Sequence, residues 1–182
     1  MSGERQAKVL RDERAIARRT ETLAREIVAT EPKELLVVAV LKGSLMFADD
    51  LLPALHRTIL EPQVDFFHLS DYHETTVTTG VAKILRDNET TVRNRGVLLV
   101  DDVRESGRTL AFAKNLLIAR GARRVLICAM LEKPGNRAVQ IDADFVGFAC
   151  PDIFVVGYGM DVAHSYRELP FIGRVVTSQD AA

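Results

Sequence analysis

Three runs of the chain are almost continuously apolar: residues 35–40, Leu-Leu-Val-Val-Ala-Val; residues 97–100, Val-Leu-Leu-Val; and residues 125–131, Val-Leu-Ile-Cys-Ala-Met-Leu. They lack the two-residue alternation of a half-solvated strand and are too short for separate helices. Each therefore reads as a strand buried on both faces, as in a parallel sheet. Residues 64–69 alternate poorly but are strand-like, with Phe66 and Phe67 as core candidates. Between these runs the period lengthens. Residues 12–30 predict a helix that Asp12 can cap, with Ile16, Leu23 and Ile27 near one face and Arg18, Arg19, Glu21 and Arg25 toward water. A second helix begins at Leu45, with Ser44 placed to cap it, and a third spans residues 110–119 and ends at Gly121. Strands alternating with helices predict an α/β fold: a central, mostly parallel twisted sheet flanked by helices.

A chain of 182 residues is long enough for one well-packed domain and short for two. Its 24 basic and 25 acidic side chains leave a formal net charge of −1, so no global field draws it to nucleic acid or to anionic lipid. Cys128 and Cys150 form neither a metal-binding pair nor a disulfide framework, which fits a reducing compartment. Residues 1–8 are polar where a signal peptide would be apolar, and no run is long enough to span a bilayer. A cytoplasmic protein without nucleic-acid or membrane partners is expected, with residues 1–6 and 177–182 as disordered ends.

Candidate chemistry gathers where the apolar runs end. The run at 97–100 leads into Asp101 and Asp102, and Glu105, Ser106, Gly107, Arg108 and Thr109 follow just before the third helix. A small residue, a glycine and two hydroxyls ahead of a helix N-terminus let backbone N–H groups converge on an anion. Strand, acidic pair and phosphate cradle together fit a phosphorylated sugar whose hydroxyls meet the carboxylates. The run at 35–40 ends similarly at Lys42 and Gly43, at the carboxyl edge where open α/β sheets collect ligands. Lys133 follows Glu132 at the exit of the 125–131 strand. His68 reads as a strand residue near the surface, because no second His or Cys stands at metal-ligand spacing. The Thr-rich residues 70–80 read as a mobile loop between two strands, the second at 81–85.

The stretch from Val97 to Leu110 resembles the signature of the type I phosphoribosyltransferases, which bind phosphoribosyl pyrophosphate (PRPP). Leu41-Lys42-Gly43-Ser44 and the C-terminal third, from Asp144-Phe145-Val146-Gly147-Phe148 through Tyr166-Arg167-Glu168-Leu169-Pro170, narrow the resemblance to the hypoxanthine-guanine branch. The resemblance implies that Asp101 and Asp102 contact the ribose hydroxyls, that Glu105 to Thr109 hold the 5′-phosphate, and that Lys42 and Gly43 bind pyrophosphate. It further implies that Lys133 donates to the purine 6-oxygen, Phe154 stacks on the base, Val155 pairs with it through backbone groups, and backbone near Asp161 reads carbon 2. Mg²⁺ would be bound by Asp161, with Asp101 and Asp102, and Arg167 would contact pyrophosphate. Glu105 would take the purine proton near N7, and Tyr72 would begin a lid over the reaction.

The resemblance also implies a small hood, built from the N-terminal segment and parts of 133–175, and a homodimer or homotetramer. Two positions depart from the family pattern. Asp71 stands where relatives have serine, with Lys83 available to offset its charge, and Glu105 stands where they usually have aspartate. The expected activity is Mg²⁺-dependent transfer of phosphoribose from PRPP to hypoxanthine and guanine. The alternatives are a catalytically weakened nucleotide-binding regulator on the same scaffold and a xanthine-preferring enzyme of the same class.

Overall fold

The apolar runs lie side by side at the centre of one sheet. The computed structural model describes residues 6–69, 84–135 and 138–176. Its elements in chain order are β1 (Gln6–Arg11), α1 (Glu13–Val28), β2 (Leu36–Leu41), α2 (Leu45–Arg57), β3 (Gln63–Leu69), β4 (Ile84–Arg86), β5 (Gly96–Arg104), α3 (Arg108–Ala119), β6 (Arg124–Glu132), β7 (Phe145–Ala149), β8 (Val155–Val156) and β9 (Ile172–Val176). Six strands pair in the order β4-β3-β2-β5-β6-β7, all parallel except β4 against β3. The α/β class and the mostly parallel sheet are as the sequence predicts.

Continuous hydrophobicity is explained by helices on both faces. Val37, Ala39, Leu98, Val100 and Cys128 pack with Ile16, Leu23 and Ile27 of α1 and Phe47 and Leu51 of α2. The alternate residues Leu36, Val38, Leu99 and Ile127 pack with Leu110, Ala113 and Leu117 of α3. Each Val, Leu, Ile or Phe side chain among these contributes about 1.5–3 kcal/mol when fully buried. The crossover from β2 to β3 uses α2, and that from β5 to β6 uses α3 on the opposite face, so the chain winds away from the β2–β5 boundary in both directions. That divergence opens a crevice beyond the carboxyl ends of β2 and β5.

Asp12 caps α1 as expected, accepting from the Ala15 N–H at 2.7 Å. Ser44 does not cap α2: its hydroxyl donates to the Val40 carbonyl at 2.6 Å, back toward the strand it follows. Arg19 does not face water. Its guanidinium donates to the carbonyls of Val146 (2.6 Å) and Gly147 (2.9 Å) on edge strand β7 and pairs with Glu26 at 2.7 Å, satisfying acceptors that the sheet edge leaves open.

A second, antiparallel sheet has the order β1-β9-β8. Gln6, expected in a disordered end, instead opens β1 and aligns with Val176. Phe67 is fully buried and Phe66 packs partly buried against the core. The expected lid at 70–80, with Asp71 and Tyr72, lies outside the described residues, as does Lys83; β4 takes up the end of the 81–85 strand and continues to Arg86.

Candidate active site

β5 runs four residues past its apolar core, because its ladder with β6 continues from Asp101 opposite Ala129 to Arg104 opposite Glu132. The two acids therefore sit within the strand's last residues. The Asp102 N–H donates to Asp101 Oδ1 at 3.0 Å, and the Val103 N–H to Asp102 Oδ1 at 2.8 Å. Across the β2–β5 boundary, the peptide bond from Leu41 to Lys42 is cis, and Gly43 lies so close to Asp102 that a Cβ would overlap its carboxylate. A side chain at this position would force the Asp102 carboxylate or the loop to shift.

Beyond β5 and β6 two ion pairs of opposite polarity stand at successive positions. The Arg104 guanidinium, 1% exposed, meets Glu132, and Glu105 Oε2 lies 3.2 Å from Lys133 Nζ. Lys133 is 6% exposed, so its ammonium depends on that partner. Gly107 adopts φ +76° against the Val139 carbonyl, and α3 then begins without a side-chain cap, a condition in which an anion can complete its first turn.

A cleft of about 770 Å³ gathers most of the predicted site. The β2–α2 loop contributes Lys42 and Gly43; β5 and its following loop contribute Asp101, Asp102, Glu105 and Thr109; Lys133 joins from the end of β6. From the C-terminal third come Phe154, Val155, Asp161 and Arg167. Phe154 is 59% exposed, unusual for a large aromatic, whereas Val155 is buried in β8 opposite Arg174. Ser106, Gly107 and Arg108 do not line the cleft. The Ser106 carbonyl accepts from the Ala138 and Val139 N–H groups at 3.1 Å each, which turns this part of the loop toward 138–141.

Asp161 and Arg167 engage one another. Arg167 Nη2 is 2.7 Å from Asp161 Oδ1 and Nη1 donates to the Gly159 carbonyl at 2.6 Å, while the His164 N–H donates to Asp161 Oδ2 at 2.7 Å. The loop carrying them is tied to α2 by Tyr158, whose hydroxyl donates to Asp50 at 2.6 Å. Burial, with the Asp50 carboxylate beside it, pushes the Tyr158 hydroxyl far above its ordinary range. Cys128 and Cys150 carry free thiols that burial pushes upward, which makes them poor nucleophiles.

Among the described residues no three His, Cys, Asp or Glu side chains group as a metal cage. The carboxylates in the cleft are Asp101, Asp102, Glu105, Asp152 and Asp161, and of these Asp101, Asp102 and Asp161 are the expected ligands. Mg²⁺ is commonly held by one or two carboxylates together with substrate phosphates and water, and this donor set fits that pattern.

A family model described as a phosphoribosyl transferase domain matches residues 6–163. The chain belongs to the phosphoribosyltransferase family. The hypoxanthine-guanine phosphoribosyltransferase of Bacillus subtilis is 41% identical over 167 residues, covering 91% of each chain. The bifunctional protein TilS/HprT of Listeria innocua is 44% identical over 167 residues; this chain spans about a quarter of that protein (25%). A crystal structure of a hypoxanthine-guanine phosphoribosyltransferase from Bacillus anthracis superposes with a TM-score of 0.87 at 38% identity, covering 95% of this chain and 100% of that one.

For this phosphoribosyltransferase, several cleft residues were given no site role by sequence: His68 at the end of β3, and Asp152, Ile153, Met160 and His164 near the aromatic and acidic positions. His68 is the strand residue expected, yet it faces the cleft. Its place at the carboxyl end of a parallel strand was the available signal. Arg104 carried no signal, since an arginine after two acids reads as solvated charge.

Proposed function

We propose that the chain transfers the 5-phosphoribosyl group of PRPP to a 6-oxopurine, hypoxanthine or guanine, forming IMP or GMP and releasing pyrophosphate. The observation that carries this reading is a buried lysine beside a carboxylate in the cleft that also holds the Asp101–Asp102 pair and an exposed aromatic. A 6-oxopurine offers an acceptor at its 6-oxygen to Lys133 and a proton at N7 to Glu105, and its ring gives Phe154 a face to stack on.

Asp101 and Asp102 receive the ribose hydroxyls, and the turn from Glu105 to Thr109 receives the 5′-phosphate at the uncapped end of α3. Displacement at the anomeric carbon builds positive charge on the sugar and negative charge on pyrophosphate. Lys42, the backbone at Gly43 and Arg167 hold the leaving group, for which Arg167 exchanges its contact with Asp161. Asp161, with Asp101 and Asp102, would hold Mg²⁺, which would supply further charge neutralisation there. Glu105 accepts the N7 proton. Backbone at Val155 and near Asp161 pairs with the base edge, and Tyr72 closes a lid that excludes water. The β1-β9-β8 sheet serves as the hood of a single catalytic domain. The same reading makes the protein a cytoplasmic homodimer or homotetramer; no helix among the described residues is long and apolar enough to cross a membrane.

The test is a steady-state assay with PRPP, Mg²⁺ and each of hypoxanthine, guanine, xanthine and adenine, followed by ultraviolet absorbance. Turnover of hypoxanthine and guanine, lost on chelation of Mg²⁺, is expected. Tight nucleotide binding by calorimetry with no turnover of any base would replace this reading with a regulatory one.

A further inference from the structure

Arg104 is an unusual residue to find fully buried one position before a catalytic carboxylate. A buried guanidinium is costly unless several acceptors surround it, and its partners here belong to two different parts of the site. One arm meets Glu132, the residue before Lys133, and Nη1 donates to the Ile141 carbonyl at 2.8 Å. The Lys133 N–H in turn donates to the Arg104 carbonyl at 3.0 Å, so the backbone of each strand end is fixed to the other just beyond the Arg104–Glu132 register. The 138–141 segment that Arg104 holds is also the brace of the phosphate turn. Its Ala138 and Val139 N–H groups bond the Ser106 carbonyl, and the Val139 carbonyl and Ile141 side chain pack on Gly107.

We propose that Arg104 is a positioning residue, a buried clamp that sets Glu105 against Lys133 and holds the 138–141 brace behind the phosphate turn. The inference rests on the phosphoribosyl-transfer reading for its catalytic consequence. Arg104 touches no substrate; it acts through the backbone on either side of the Glu105–Lys133 pair and through Ile141. A merely structural salt bridge predicts something different, because well-packed apolar residues can replace a buried ion pair at little or no cost in stability.

The deciding variant is therefore the double replacement Arg104→Leu with Glu132→Leu. Its melting temperature, its kcat and KM, and its amide hydrogen exchange by mass spectrometry are compared with the parent. A positioning role predicts a near-parental melting temperature and kcat lowered about 100-fold, the scale expected of a misplacement near 1 Å. It also predicts faster exchange confined to residues 105–109 and 138–141. Parental kcat, or a kcat loss without that local exchange change, overturns the proposal. Should the double variant fail to fold, Arg104→Lys serves instead: it keeps the charge, cannot span both acceptors with one ammonium, and must show the same local exchange and a kcat loss. If the parent transfers no phosphoribose, the functional reading falls separately, and the exchange measurement alone decides the clamp.

Discussion

The ammonium of Lys133 lies 3.2 Å from the carboxylate of Glu105, at the mouth of two parallel strands whose preceding residues, Glu132 and Arg104, are themselves paired. An almost fully buried ammonium needs such a partner to offset the loss of water and to hold its position. Glutamate, one methylene longer than the aspartate usual in the family, makes this contact with 41% of its own side chain still exposed to the cleft. In the proposed mechanism, the acid that accepts a proton from the base is also the group that keeps the base's hydrogen-bond donor in place.

Glu105→Gln removes the proposed proton acceptor and takes the carboxylate away from Lys133. We expect kcat to fall by about 10²- to 10⁴-fold, the usual range for losing a general base. Steady-state kinetics with hypoxanthine checks it, and an unchanged kcat removes Glu105 from the proton-accepting role.

Gly43→Ala places a methyl group where the Asp102 carboxylate lies. The β2–α2 loop or the acid must then move, and both line the cleft where PRPP is proposed to bind. A rise in KM for PRPP of about tenfold or more is expected, given that a shift near 1 Å can cost about 100-fold in rate. An unaltered KM and kcat would show that the loop gives way freely.

Acid should weaken the fold through Asp65 and Asp87. Burial pushes the Asp65 carboxyl up, but N–H donors of Thr90, Phe66 and Glu89 outweigh it and hold the group below its ordinary value of 3.8. Hydrogen bonds from Arg120 lower Asp87 in the same way, against a smaller effect of burial. Because both values are depressed on folding, their stabilisation is present above pH 3.8 and is lost as pH falls through the lower folded values. Thermal melts between pH 6 and pH 3 (about the carboxylate range) should show a shallower decline for Asp65→Asn with Asp87→Asn than for the parent.

Phe47→Ala removes a fully buried ring of α2 from the core between that helix and the sheet. The expected cost is about 3–5 kcal/mol, read from the urea midpoint at constant slope.

Much of this molecule was legible one residue at a time. The runs at 35–40, 97–100 and 125–131 are apolar at every position because helices cover both faces of their strands, and that demand is written locally. The acidic pair and the residues through Thr109 are contiguous, so their role could be proposed before any fold was known. Other features depend on distant partners. Gln6 begins a strand only because β9 lies beside it, and Arg19 leaves water because the carbonyls of Val146 and Gly147 on edge strand β7 lie within reach of its guanidinium. Ser44 turns back to Val40 instead of capping its helix.

The chain's own order thus determined the fold class and marked the two loops proposed to hold sugar and phosphate, since each follows from local pattern and backbone chemistry, whereas the residues proposed to recognise a base were implied by the family resemblance alone. Only the tertiary structure decided that Gly43 lies against Asp102, that Glu105 meets Lys133, and that Arg104 is buried. Those relations depend on strand register, which brings together residues that are far apart in the chain and therefore share no local signal.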